Sequence, residues 1–347
     1  FAYRPLGELL AAARVRELLD RVQGLASPAH VAPQVEVEAM LGLAPVPRTL
    51  LSEALAEFFE LTTDRVRGKS EAQIYRWRLD RERAVANFIA AAKDKPVAEI
   101  TREDMLAYRK AWADKLEKKK QNPESANKDF GHLADVIRTV SDIRGLGVDP
   151  ALFAKLRFRK SKRPSKGVPF STPWIRDTLL AEGALARLNE EARLPLLVMV
   201  NTGARPSEIL GAARADWVLD AKVPHLAVRP RHDHELKTEQ SEREIPLLGV
   251  SLEAARALAA LPHPGRYFQK SGGWSAVVNK FLDVNKLRET PAHTAYSLRH
   301  AFEDRLLEAG VDHRLRVELM GHKYERPAYG RGGSLELKAK ALELIAI

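Results

Sequence analysis

Thr202-Gly203-Ala204-Arg205-Pro206-Ser207-Glu208 is the stretch on which the reading of this chain turns. It follows an apolar run, Leu185–Asn201, that reads as a buried helix. Glycine after the last helical turn and proline shortly afterwards are the pattern of one helix stopping and the next starting. Arg205 is thereby projected from a rigid joint between two helices. Glu208 falls one helical turn later, where it can hold that side chain. A guanidinium placed this way presents a planar fork that matches two phosphate oxygens, which an ammonium cannot do.

Three further patches lie downstream: Leu236-Lys237-Thr238, Ser297-Leu298-Arg299-His300, and Gly321-His322 followed by Pro327-Ala328-Tyr329-Gly330-Arg331-Gly332. Arg299 lies near the start of its own helix and supplies a second fork. Two such forks neutralise a pentavalent phosphorane more strongly than a ground-state diester, which is how charge stabilisation becomes rate. Lys237 falls in a hairpin between strands read at His225–Arg229 and Arg243–Leu247, with Trp217–Leu219 as a further short strand. Two arginines, a lysine, a histidine and a tyrosine are sufficient to break a phosphodiester without a metal. The order and surroundings of these patches resemble the tyrosine recombinase (phage integrase) family, over roughly the second half of the chain.

The resemblance implies a mainly α fold with a small β-sheet, in which a helical core-binding domain precedes an α+β catalytic domain and the two clamp duplex DNA. It implies that Arg205 and Arg299 bind the scissile phosphate, and that Lys237 protonates the leaving 5′ oxygen, its pKa lowered by the neighbouring arginines. His322 assists and Tyr329 attacks. A phenol ionises near pH 10, so attack at neutral pH needs a positive field and a proton acceptor. The 3′-phosphotyrosyl bond would keep the energy of the broken DNA bond, so no cofactor is expected. Glu208, Tyr296 and His300 are supporting residues. Two departures from the family pattern stand out. Tyr296 occupies a position that is normally histidine or lysine, which leaves its role to Tyr296 itself, His293 or His300. The spacing from His322 to Tyr329 is short, which keeps Tyr324 as a rival nucleophile.

The function expected is therefore site-specific DNA recombination or integration for a phage or other mobile element, with double-stranded DNA and further copies of the chain, as dimer or tetramer, as partners. A catalytically impaired DNA-binding relative and a type IB topoisomerase-like enzyme are the alternatives. The C-terminal helix read at Leu335–Ile345, with Leu335, Leu342 and Ile345 on one face, packs either on a neighbouring subunit, as in the family, or on its own domain.

Composition agrees with a polyanionic partner: the 347 residues carry 56 Lys and Arg against 46 Asp and Glu, a net charge of +10. The absence of cysteine excludes disulfides, thiolate nucleophiles and cysteine-based zinc sites. No apolar run approaches the ~20 residues needed to span a bilayer, so no membrane partner is expected. The chain opens at Phe1 rather than methionine, so a natural start further upstream is expected, and a cytoplasmic location is the default expectation. His232-Asp233-His234 with His225 could bind zinc, but the polar, turn-like context favours a solvated loop, and no metal is expected.

Four segments divide the chain. Residues 1–48 form an N-terminal segment of uncertain role, with a helix over 5–24 and a helical fragment at Val35–Leu43. Residues 49–150 form the small helical domain, with helices at Leu50–Leu61, Glu71–Ala92, Arg102–Leu116 and Ala126–Ile143. Thr101 and Asp104 resemble a capping box, and Ser125 is a candidate cap for the last of these helices. Residues 151–172 are a basic linker in which Lys155, Arg157, Arg159, Lys160, Lys162, Arg163 and Lys166 can follow a phosphate backbone. Residues 173–347 are the catalytic domain, with further helices at Leu252–Leu261, Ser275–Leu287, Leu298–Glu308 and Arg314–Met320.

Overall fold

The computed structural model describes residues 15–25, 48–118, 121–159, 167–231, 239–325, 330 and 332–347. Among them the chain forms two compact units, one drawn from Phe1–Leu61 and Arg81–Arg157, the other from Thr62–Asp80 and Phe158–Ile347. No described helix is long and apolar enough to cross a membrane. The fragment read at Val35–Leu43 lies outside the described residues.

The first unit is helical. Helix α1 spans Val15–Leu25, α2 Leu51–Leu61, α3 Glu71–Ala92 (which contributes residues to both units), α4 Arg102–Glu117 and α5 Pro123–Arg144. Thr101 and Asp104 form the expected capping box at the start of α4. The cap of α5 is Asn122 rather than Ser125: its side chain accepts from Ser125 N–H, and Pro123 occupies the first turn, where its missing N–H is harmless. The core is built from Leu51, Phe58, Phe88, Tyr108, Leu133 and Ile137, and α2 packs on α5. Asp129 is buried within this core at 3% exposure. Its Oδ2 accepts from Tyr108 Oη at 2.5 Å, Trp112 Nε1 at 2.9 Å and Asn87 Nδ2 at 3.0 Å, so one carboxylate links three helices. Burial, reinforced by this carboxylate, pushes the Tyr108 hydroxyl far above its ordinary pKa and keeps it a donor.

The second unit is built around α6, Glu190–Thr202, which packs against α7 (Pro206–Gly211), α8 (Gly249–Ala260), α9 (Ser271–Val284) and α10 (Ser297–Glu308). Helix α6 starts at Glu190, not Leu185. Asn189 caps it by accepting from Ala192 N–H at 3.0 Å, and the residues before it are turns, although Leu185 and Leu188 are buried. Apolar residues in a buried loop carry the same periodicity signal as a helix, so the pattern alone placed the start too early. Burying Leu194, Leu196, Val198 and Met199 contributes roughly 1.5–3 kcal/mol each toward folding.

Strands β1 (Trp217–Val218), β2 (His225–Val228) and β3 (Arg243–Pro246) form an antiparallel sheet in that order, each ending one residue earlier than the sequence pattern indicates. Ala227 faces Glu244 and Val228 faces Arg243 across the β2–β3 pair. Helix α11 spans His313–Met320 and α12 Leu335–Glu343; both pack against β3. Leu342 and Ile345 are buried in the core of their own unit, which places this part of the C-terminal apolar face in cis. Arg305 of α10 ties that end down, donating to Ile345 O at 2.7 Å and Asn201 Oδ1 at 3.2 Å.

Replacing Asp129 by alanine strands the Trp112 indole N–H in an apolar core and leaves the Tyr108 hydroxyl only the Ala84 carbonyl at 3.5 Å. The first unit is expected to lose roughly 1–3 kcal/mol for each donor left unpaired, measured by urea unfolding against the wild-type chain.

Candidate active site

The expected joint is present. Gly203 ends α6 in the left-handed conformation, φ 57°, and Pro206 opens α7. A Cβ at Gly203 would lie 2.2 Å from the Phe302 ring, so the position is closed to any side chain by packing as well as by φ. The backbone N–H of Arg205 donates to Glu208 Oε2 at 2.8 Å, and its Nη1 to Glu208 Oε1 at 2.6 Å. Glu208 therefore holds the arginine at both ends.

Arg205 and Arg299 converge. Arg205 Nη2 faces the Gly321 carbonyl at 3.4 Å, and Arg299 Nη2 donates to the adjacent carbonyl of Met320. Arg299 Nη1 donates to Gly203 O, two residues before Arg205. Arg299 is the third residue of α10 and only 2% exposed, whereas the Arg205 side chain is 13% exposed. Burial, and then the nearby Arg205 charge, bring Arg299 down to about 10, so it stays protonated at neutral pH.

His322 follows Gly321, which closes α11 with φ 61°. Its Nε2 is 3.2 Å from Arg299 Nη2. A guanidinium can only donate, so Nε2 accepts and the ring carries its proton on Nδ1. Burial and then Arg299 lower the His322 pKa, which keeps the ring neutral at pH 7 and consistent with that tautomer. Patches separated by more than a hundred residues thus meet at the turn Met320-Gly321-His322.

The remaining expected residues divide. Lys237, Tyr329, His232, His234, Lys160, Lys162, Arg163 and Lys166 lie outside the described residues. Lys155, Arg157 and Arg159 are exposed. Ser241, four residues after Lys237, lies 3.4 Å from Arg205 Nη1 through its Oγ. Gly330, next to Tyr329, accepts through its carbonyl from Arg314 Nη2 at 3.3 Å. Tyr324, the rival nucleophile, has its ring 5.9 Å from that of His313, at the start of α11. Seven residues of helix, roughly 10 Å, separate His313 from the Met320 carbonyl that receives Arg299.

Tyr296 is 40% exposed and lies edge-on to His300, with ring centroids 5.3 Å apart. The Gly167 backbone runs against the His300 ring: a Cβ there would come within 1.8 Å of Nε2. His293 is not free to take over the Tyr296 role. It is 2% exposed and stacked on Phe170, with Nε2 3.0 Å from Pro169 O and Nδ1 accepting from Thr290 N–H at 3.0 Å. His225 is likewise engaged, its Nδ1 2.9 Å from Val223 O, and no cluster of metal-ligating side chains occurs among the described residues.

One residue escaped the sequence reading. Arg243, on β3, is 7% exposed and places Nη2 2.9 Å from Glu208 Oε2 and Nη1 3.2 Å from Glu208 Oε1. The signal available was an arginine beginning a buried strand, which is costly unless a carboxylate meets it. Burial alone would raise the Glu208 pKa; the Arg243 charge, ahead of that of Arg205, overrides it and holds the carboxyl at about 2.

The same fold occurs in the Tn1549 transposon integrase in complex with transposon right end DNA, at 16% identity and a TM-score of 0.55, covering 86% of this chain and 95% of that one. It occurs also in the lambda integrase dimer bound to a COC′ core site, at 15% identity and a TM-score of 0.57, covering 88% of this chain and 83% of that one. For the lambda integrase tetramer bound to a Holliday junction the TM-score is 0.55 at 17% identity, over 80% of this chain and 76% of that one. No protein-family model matches the chain, and no curated protein matches it. The architecture is that of these solved integrases, mainly α with a small antiparallel sheet.

The Glu208 carboxyl is depressed from 4.5 to about 2, so it contributes stability, roughly 3 kcal/mol, that is fully present above about pH 4.5 and is lost as the pH falls toward 2. The difference in unfolding free energy between wild type and Glu208→Gln is therefore expected to narrow steadily from pH 5 to pH 2. A difference independent of pH would mean that the carboxylate charge is not what Arg205 and Arg243 hold.

Proposed function

We propose that this chain is a site-specific DNA recombinase that cuts and rejoins DNA through a 3′-phosphotyrosyl intermediate. The observation that carries the reading is the convergence of Arg205, Arg299 and His322 on one turn, within a fold whose solved examples include integrases bound to DNA. A scissile phosphate entering beside Arg205 meets a guanidinium already oriented by Glu208, above the fixed charge of Arg299. Charge aligned before the reaction stabilises the phosphorane without reorganisation at the moment of attack. His322, neutral and with Nδ1–H free of the Arg299 contact, donates to a nonbridging oxygen.

Tyr329 is the nucleophile in this reading and Lys237 the acid that protonates the leaving 5′ oxygen; Tyr296 and His300 border the site. Residues 49–150 act as the core-binding domain and residues 173–347 as the catalytic domain. The basic segment from Lys155 to Lys166 follows the phosphate backbone between them. The partners are double-stranded DNA and further copies of the chain, assembled as dimer or tetramer on it.

Covalent trapping tests this directly, using nicked duplexes from the junctions of the element that encodes the chain. Wild type is expected to form a denaturant-resistant adduct, Tyr329→Phe none, and Tyr324→Phe as much as wild type. Arg205→Lys keeps the charge but loses the fork, and its single-turnover rate is expected to fall about 100-fold. An adduct lost only in Tyr324→Phe would move the nucleophile, and salt-sensitive binding without any adduct would leave a DNA-binding relative. Relaxation of supercoiled plasmid by the monomer, without paired half-sites, would instead make it topoisomerase-like.

A further inference from the structure

Arg243 belongs to none of the patches that point to phosphodiester chemistry, yet it touches two of the elements that carry them, at Glu208 and at the Leu319–Gly321 turn. Beyond its fork on Glu208, its Nε donates to Leu319 O at 2.8 Å, in the last turn of α11. Its Nη1 also donates to Ser241 O at 2.6 Å, two residues before Arg243 itself. Gly321 lies flat on the same guanidinium: a Cβ there would come 2.6 Å from Nη1 and 2.9 Å from Cζ. Arg243 thus joins the start of α7, the end of α11 and the chain leading into β3.

We infer that Arg243 is the positioning residue of the phosphate site, holding Glu208 so that Arg205 keeps an edge for phosphate and seating the turn that carries His322. The inference rests on the phosphodiester-cleaving reading above. Glu208 has two oxygens and two cationic partners. Arg243 takes both oxygens through its paired nitrogens, leaving Arg205 a single side-chain bond to Oε1 and its Nη2 directed at the Gly321 carbonyl. With Arg243 removed, a buried carboxylate and Arg205 would close into a two-pronged pair, and Nη2 would turn away from the site. Arg299 feels the same carboxylate from α10 but does not donate to it in the hydrogen bonds described for it, and the carboxylate that acts on His322 is Glu303. The ionisation of Glu208 therefore leans chiefly on Arg243.

The test compares wild type, Arg243→Lys, Arg243→Met and Arg243→Met/Glu208→Gln in single-turnover adduct formation on the nicked junction duplex, at saturating DNA and across pH. For Arg243→Met the rate at neutral pH is expected to fall about 10- to 100-fold, with the Kd for DNA changed less than about threefold. Its acid limb should move to higher pH, because Glu208 now protonates more readily, and adding Glu208→Gln should abolish that limb. Arg243→Lys restores a charge but not the fork, so the acid limb returns while the rate stays below wild type. A wild-type rate and pH profile in folded Arg243→Met, or a loss that only follows DNA affinity, overturns the inference. If Arg243→Met does not fold, Arg243→Lys carries the test, and a wild-type rate there overturns it. If wild type itself forms no adduct, the recombinase reading fails separately. The 13C titration of the Glu208 carboxyl then decides on the hub: it should rise in the Arg243 variant, and an unchanged titration rejects it.

Discussion

The second unit depends on one buried carboxylate shared by two guanidiniums. Glu208 is 8% exposed and Arg243 7% exposed, and removing either charge from water is costly unless the other meets it at hydrogen-bond distance. Arg243 repays that cost with its fork, and Arg205 adds a third donor at 2.6 Å. The cluster carries a net positive charge, and Arg205, the cation that leaves it in surplus, keeps 13% of its side chain exposed. A surplus cation at a half-open site is poor for stability alone and well suited to an anion.

Backbone carbonyls do for Arg299 what Glu208 does for Arg205. Gly203 O and Met320 O accept from its two terminal nitrogens, and each lies at the C-terminal end of a helix, where carbonyls lack intrahelical partners. Those ends carry partial negative charge, which offsets the burial of a guanidinium without neutralising it. The left-handed residues Gly203 and Gly321 turn both ends toward the same point. A side chain at Gly203 would strike Phe302, so the arrangement is enforced by the packing of α6 on α10 as well as by backbone preference. His322 takes its tautomer from Arg299, while burial, and then the Arg299 charge, lowers its pKa.

The first unit solves a similar problem with one charge rather than several. Asp129 collects an indole, a phenol and an amide from α3 and α4, converting polar groups that would each weaken the core into one closed set. The three side chains that donate to it are all neutral. Arg81 is handled differently, its guanidinium meeting Asp135 at 2.7 Å at the edge of the same core.

The sequence by itself determined the helical character of both units, the Thr101 capping box, the glycine–proline joint that projects Arg205, and the partnership of Arg205 with Glu208. These are local: each rests on residues within a turn or two of one another, where spacing dictates geometry. It misplaced the start of α6 because apolar residues in a buried turn look like apolar residues in a helix, and it chose Ser125 over Asn122 because cap preference alone does not rank neighbouring candidates. Only the tertiary structure decided that Arg299 is buried against two carbonyls, that His293 is occupied by Pro169 and Thr290, and that Leu342 and Ile345 pack in cis. It alone revealed Arg243, whose partners lie 35 residues before it and 76 after it. Periodicity reports which face of an element is buried; it does not report which distant polar group will be waiting there.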